Sequence, residues 1–276
     1  MKNPLGVMQG RLLHKYQGRY QAHPVGYWQD EFPLAAEVGL NCIEFILDYN
    51  QVEENPLFSD SGRQQILKLS RQTGVQVYSV CADYFMDAPF HGDDFNMTQV
   101  SLGVMRRLLE ASADVGICNV VVPCVDHSSV QDISARSRFQ QELMKIIPMA
   151  EKLGVNLSLE TDLCPEDFKK LLTQLDSPRV TVNYDIGNSA GLGYDHELEL
   201  EAYGNKISDI HIKDRSLGGG SVMLGKGNAD LPGFFSLLSN FVYEGPFIMQ
   251  AYRDDEGMNV FQEQLKWIKP ILGDYN

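Results

Sequence analysis

Ile207-Ser-Asp-Ile-His211-Ile-Lys-Asp-Arg215 is the stretch on which the reading of this chain turns. Apolar residues at 207, 210 and 212 make a short buried strand, and His211, Lys213 and Asp214 crowd its exit. Three other expected strands finish in the same way: Leu157–Thr161 in Glu160, segment 180–188 around Asp185, and segment 246–253 around Gln250. A closed parallel barrel gathers such carboxyl ends at one mouth, where enzymes of that architecture keep their chemistry. Glu160, Asp185, His211 and Gln250 then offer three kinds of oxygen donor and one imidazole, a set suited to a divalent cation.

Working outward, a helical segment that ends at Gly and runs straight into a short strand recurs at Gly39, Gly74, Gly116, Gly154 and, more loosely, Gly245. The interval, on the order of 35 to 40 residues, is one strand, one helix and two loops. Eight strands are expected: Leu5–Met8, Cys42–Ile46, Gln76–Val80, Asn119–Val122, Asn156–Leu159, Val180–Tyr184, Ile207–Ile212 and Pro246–Met249. Helices are expected near 30–38, 62–73, 98–115, 134–153, 165–175, 194–203, 231–241 and 257–271. This alternation reads as an α/β chain folded into one (β/α)8 TIM barrel domain over residues 1–276. A doubly wound open sheet fits less well. No G-x-G-x-x-G follows the first strand, and polar strand ends recur along the whole chain instead of at one switch point.

Three connections are long enough to reach over the mouth. Segment 83–96 carries Tyr84, Phe85, Met86, Phe90, His91 and Phe95 and is expected to act as a lid or wall. Segment 12–29 carries His14, Lys15, Arg19, Tyr20, His23 and Trp28. Segment 215–230 contains Gly218-Gly-Gly220 and Gly225-Lys-Gly227, where backbone amides could approach a ligand.

Bulk properties narrow the function. The 276 residues, 43% hydrophobic and 22% charged, suit one soluble core, and the net charge of −14 with no Lys/Arg-rich run disfavours nucleic acid as a partner. The five cysteines form no C-x-x-C pair, which fits reduced thiols and a cytoplasmic location. No stretch is long and apolar enough to suggest a signal segment or a membrane span.

Taken singly, Asp185 could be a helix cap and His211 a hydrogen-bonded barrel residue. Their joint position at the ends of the fifth to eighth strands argues for a shared site. A small ketose or aldose presents adjacent carbonyl and hydroxyl oxygens, and a divalent metal gripping both would stabilise the enediolate formed on deprotonation. Mn²⁺ suits the donor set best, with Mg²⁺, Co²⁺ and Zn²⁺ also compatible. Lys213, on the metal-bearing strand, is expected to hydrogen-bond within the catalytic site. Lys213, Arg215 and Lys226 could meet a phosphate, and Asp83, Asp126 and His127 could meet substrate hydroxyls; Gln9 and Arg11 carry the same modest weight. Cys81, Cys124 and Cys164 read as small buried fillers.

The series Leu-Ser-Leu-Glu160, Tyr-Asp185-Ile-Gly-Asn188 and Ile-His211-Ile-Lys-Asp214, followed by Gly225-Lys-Gly227-Asn-Ala-Asp230, resembles the sugar phosphate isomerase/epimerase branch of the xylose isomerase-like TIM barrels. The resemblance implies a metal held by Glu, Asp, His and a second Glu, with the two Glu acting as acid and base on opposite faces of the sugar. Glu160, Asp185 and His211 match the first three, and Glu44 stands where relatives often have a supporting Glu. It also implies a small sugar or sugar phosphate as partner, and a homo-oligomer, dimer or tetramer. Two positions depart from the pattern: Gln250 replaces the second Glu, and Asn188 replaces the His of D-x-x-H. An amide can ligate a metal but cannot accept a proton as a carboxylate does. Isomerase or ketose 3-epimerase chemistry with Glu160 as base leads; an inosose dehydratase-like lyase and a catalytically impaired sugar-binding barrel are the alternatives. DNA cleavage of the endonuclease IV kind is disfavoured by the acidic charge and the few His residues.

Overall fold

The structure, a computed structural model, describes residues 3–253 and 258–275. Eight parallel strands close into a barrel: β1 (Leu5–Met8), β2 (Cys42–Ile46), β3 (Gln76–Cys81), β4 (Asn119–Cys124), β5 (Asn156–Thr161), β6 (Val180–Asp185), β7 (Ile207–Ile212) and β8 (Phe247–Met249). β1 pairs with both β2 and β8, so the sheet has no open edge. The bounds of β1, β2 and β7 match the sequence reading, and β3 to β6 each run one or two residues further toward the mouth.

Side chains alternate along each strand. Val7, Ile43, Phe45, Val120, Leu157, Leu159, Val182, Ile210 and Phe247 belong to the large core shared with the helices. Met8, Cys42, Ile46, Cys81, Val121 and Ile248 form a separate small cluster. Between them, positions of the inner phase carry Glu44, Ser79, Asn119, Ser158, Asn183, Asp209 and His211, all buried. Such groups must bond to one another, because water cannot serve them there. Ser158 Oγ accordingly lies 3.0 Å from Thr181 Oγ1, and Asn119 Nδ2 donates to Asp209 Oδ2 at 3.2 Å.

The helices are α1 (Glu31–Glu37), α2 (Asp60–Thr73), α3 (Tyr84–Asp87), α4 (Phe95–Val115), α5 (Ile133–Leu143), α6 (Ile147–Leu153), α7 (Pro165–Leu175), α8 (Ile186–Leu192), α9 (His196–Tyr203), α10 (Leu231–Leu238) and α11 (Met258–Tyr275). The single helix expected over 134–153 is a correction: it is α5 and α6. Pro148 has no N–H for the Met144 carbonyl and its ring crowds that oxygen, so the chain turns at 144–146 and restarts with Pro148 in the first turn. The short helices α3 and α8 were not expected. The expected start of the last helix at 257 lies outside the described residues, as do residues 1, 2 and 276 of the expected domain. Among the described residues, no helix is long and apolar enough to cross a membrane.

The loops are more tightly held than their composition suggests. Segment 83–96 packs inward, with Tyr84, Phe85, Phe90 and His91 buried and Phe90 stacked on Phe139 of α5 at 5.3 Å between ring centroids. It is a wall of the mouth, not a free lid. The loop after β1 is fastened at both ends. The buried Glu31 carboxylate accepts the Gly10 and Leu12 N–H groups, and Asp48 accepts the His23 N–H at 2.8 Å while pairing with Arg19 at 2.9 Å.

His23 sits in this loop with its ring against Trp28 and Phe45 and its Nδ1 3.1 Å from Gln9 Oε1. Burial pushes its pKa down to about 3. The folded state therefore keeps the ring neutral while the unfolded chain protonates near 6.5, so stability present above pH 6.5 is lost as pH falls toward 3. Urea unfolding of wild type and His23→Gln should show the wild-type advantage shrinking by about 2 kcal/mol between pH 7.5 and pH 5. A constant difference across that range would contradict a neutral buried ring.

Candidate active site

The register of β6 on β7 sets Asp185 directly beside His211. Asp185 caps α8, its Oδ1 accepting the Asn188 N–H at 2.8 Å, which leaves Oδ2 to take a 3.1 Å bond from Lys213 Nζ. The capping reading and the site reading are thus both realised in one carboxylate. Glu160, at the end of β5, is gripped from two sides: Oε1 accepts Asn188 Nδ2 at 2.6 Å and Oε2 accepts Asn183 Nδ2 at 2.9 Å. His211 Nδ1 lies 3.6 Å from Glu160 Oε2 and 3.9 Å from Asp185 Oδ2. Its other nitrogen, Nε2, is 2.7 Å from Glu44 Oε1, and Glu44 Oε2 accepts the Ser79 hydroxyl at 2.5 Å. A carboxylate behind the imidazole holds a proton on Nε2 and turns Nδ1 toward the mouth, where a cation could displace that nitrogen's proton.

The ligand atoms of Glu160, Asp185 and His211 lie within 4.8 Å of one another, so one ion could touch all three. Gln250 adds a further sign. Its Nε2 donates to Gln21 Oε1 at 2.9 Å, but its Oε1 is buried with no partner. An orphaned carbonyl oxygen costs roughly 1–3 kcal/mol unless something takes up its lone pairs. Two carboxylates, an imidazole and a free amide oxygen fit a divalent cation of the Mn²⁺, Mg²⁺ or Zn²⁺ kind.

The electrostatics are those of a site crowded with acids. Burial, and then the Asp185 charge, push Glu160 up to about 7, against the pull of His211 and Lys213. Burial alone would depress His211, yet the carboxylates Glu44, Glu160 and Asp185 outweigh it and bring the ring up to about 10. Asp209 lies behind His211 with Glu44, and burial followed by the Glu44 charge raises it well above the usual carboxylate range.

A cavity of about 260 Å³ opens over these groups, walled by Gln21, Asp83, Met86, Asp126, Glu160, Asn188, Lys213, Arg215 and Gln250 among others. A larger one, about 420 Å³, lies behind β6 against Tyr184, His196 and Phe234, but its carboxylates Asp195 and Asp230 are occupied capping α9 and α10. Of the residues singled out in the sequence, Glu160, Asp185 and His211 converge, and Asp83, Asn188, Lys213, Arg215 and Gln250 share the cavity wall with Glu160. Lys213 and Arg215 both donate to Asn188 Oδ1, at 3.1 and 2.9 Å, and Arg215 also grips the Gly219 carbonyl. His127 and Lys226 are exposed and outside this wall. The glycine amides of segment 225–227 are spoken for: Gly225, Gly227 and Ala229 donate to the buried Asp214 carboxylate. A Cβ on Gly227 would overlap that carboxylate, and Asp230 caps α10, so the whole G-x-G-x-x-D stretch folds around Asp214. Asn183 and Gln21 were missed. Asn183 was legible as the inner-phase neighbour of Asp185; Gln21, on a loop, left no signal.

A family model described as a xylose isomerase-like TIM barrel matches residues 32–271. The chain belongs to that family. The L-ribulose-5-phosphate 3-epimerase UlaE of Salmonella heidelberg is 28% identical over 263 residues, covering 91% of this chain and 88% of that one. Among solved structures, a D-psicose 3-epimerase determined in the presence of D-fructose superposes with a TM-score of 0.78 at 15% identity, over 98% of this chain and 99% of that one. The IOLI protein, described with a bound zinc atom, superposes at 0.75 with 17% identity, over 99% and 97%. At those identities the structures support the xylose isomerase-like fold alone.

If Glu44 orients His211 for a metal, Glu44→Gln should leave the fold intact and weaken Mn²⁺ binding roughly 10–100-fold in calorimetric titration. Unchanged affinity would remove Glu44 from that role.

Proposed function

We propose that this protein is a divalent-metal-dependent isomerase or epimerase of a ketose or ketose phosphate that works through an enediolate with Glu160 as the base. The observation that carries the proposal is the Glu160 carboxylate, desolvated, brought up to about 7 and set on the cavity wall beside Asp185 and His211. A base poised near the working pH combines a large deprotonated fraction with a strong pull on a carbon acid. The relatives named for L-ribulose-5-phosphate 3-epimerase support the substrate class and the reaction type.

Glu160, Asp185, His211 and the free Oε1 of Gln250 would hold the cation, with Mn²⁺ the best fit. When bound, a divalent ion supplies Lewis acidity to a substrate carbonyl and its neighbouring hydroxyl. The remaining work falls to the chain. Asn183 and Asn188 fix the Glu160 carboxylate by one bond to each oxygen, so that it meets the C–H bond in one orientation. Lys213 and Arg215, both tied to Asn188, set positive charge on the wall where substrate oxygens or a phosphate would lie. Met86 of segment 83–96 lines the cavity and would help to keep bulk water from the carbanion.

Incubation of the Mn²⁺-loaded protein with L-ribulose 5-phosphate and a panel of free ketoses should give products of equal mass. A product lighter by one water would indicate the lyase alternative. Glu160→Gln should lower kcat by about 10²–10⁴-fold with some metal binding retained, and an unchanged rate would refute Glu160 as base.

A further inference from the structure

Inversion at a carbon needs one group to remove a proton and another to return one from the opposite face, and Gln250 cannot do either. The cavity wall supplies few other titratable groups. Lys213 is committed to Asp185 and Asn188, on the side of the cavity that Glu160 already occupies. Asp126 is exposed at the rim. Asp83 differs from both. It follows β3, separated from β5 and Glu160 only by β4, and lines the same cavity. Cys81 Sγ donates to its Oδ1 at 3.1 Å and Gln21 Nε2 to its Oδ2 at 3.3 Å. Gln21 in turn accepts from Gln250 Nε2 at 2.9 Å and from Arg11 at 3.2 Å. The carboxyl that position 250 lacks is therefore found one hydrogen-bonded side chain away, at Asp83.

We propose that Asp83 is the second acid–base group of this site, acting with Glu160 on the two faces of the substrate carbon; the inference rests on the enediolate reading above. Burial and then the Asp48 and Glu44 charges raise the Asp83 carboxyl against the pull of its Cys81 and Gln21 contacts. Asp83 and Glu160 line the same cavity, so one substrate could meet both carboxyls. The step balances without an outside reagent. Glu160 takes the proton as the C–H bond breaks, and the electron pair passes to the carbonyl oxygen. The enediolate then collapses as a new C–H bond forms with the Asp83 proton. This leaves Glu160 protonated and Asp83 ionised, and exchange with water resets both.

The test follows deuterium from D2O into L-ribulose 5-phosphate and the ketose panel, with configuration read by chromatography and label by mass spectrometry. Wild type should invert the carbon and incorporate one deuterium. Asp83→Asn should lose inversion by at least about 100-fold while Glu160 continues to exchange the proton with retention. The double variant Asp83→Asn with Gln250→Glu should recover inversion, because a carboxyl is restored next to the gap. Asp83→Ala, measured the same way, covers the case in which the amide disturbs Cys81 or Gln21. Inversion at the wild-type rate in Asp83→Asn, or parallel loss of exchange and inversion with metal binding intact, would overturn the assignment. A wild-type protein that moves a proton only between adjacent carbons, never inverting, would overturn it too and leave the enediolate reading standing. Absence of any exchange by wild type would bring down both.

Discussion

Glu44, Glu160, Asp185 and Asp209 are buried in one barrel with a single imidazole among them, and the design of the mouth follows from that excess of negative charge. Each buried carboxylate carries a penalty of several kcal/mol unless it is paired or neutralised. The structure uses four means. His211 is shared between Glu44 on one side and Glu160 with Asp185 on the other. Lys213 answers Asp185, Asn183 and Asn188 donate to Glu160, and burial beside Glu44 raises Asp209 toward its neutral form. The clustered oxygens of Glu160 and Asp185 and the Nδ1 atom of His211 are the groups that could hold a cation and offset the remaining charge.

The apolar core lies largely outside the barrel, between strands and helices, which frees the inner positions for polar chemistry. The loops beyond the strands serve the same end. Glu31 and Asp48 secure the first loop so that Gln21 reaches Gln250 and Asp83, and Asp214 gathers the 225–229 backbone so that the loop after β7 holds its course beside the cavity. Stability and function are thereby divided between the two faces of each strand.

Much of this was legible in the chain before folding. Short apolar stretches and the glycine-terminated helices mark the strands, and the rule that barrel strands present their chemistry at the carboxyl end brings Glu160, Asp185 and His211 together. The break between α5 and α6 was equally readable in Pro148, which a single helix over 134–153 would have to hold in its interior. Other features depend on contacts between distant residues. The packing of Phe90 on Phe139 makes the expected lid or wall a wall, the capture of segment 225–229 by Asp214 turns expected ligand donors into internal ones, and Gln21 gains its role only through Gln250 and Asp83. No local pattern encodes these, because each partner is ordinary in its own neighbourhood.

Anomalous diffraction from crystals grown with Mn²⁺ addresses the central claim most directly. A single strong peak should appear within bonding distance of a Glu160 oxygen, an Asp185 oxygen and the Nδ1 atom of His211, with the Gln250 amide oxygen turned toward it. A peak elsewhere in the barrel, or a saturated crystal with no ion at those three groups, would contradict the account.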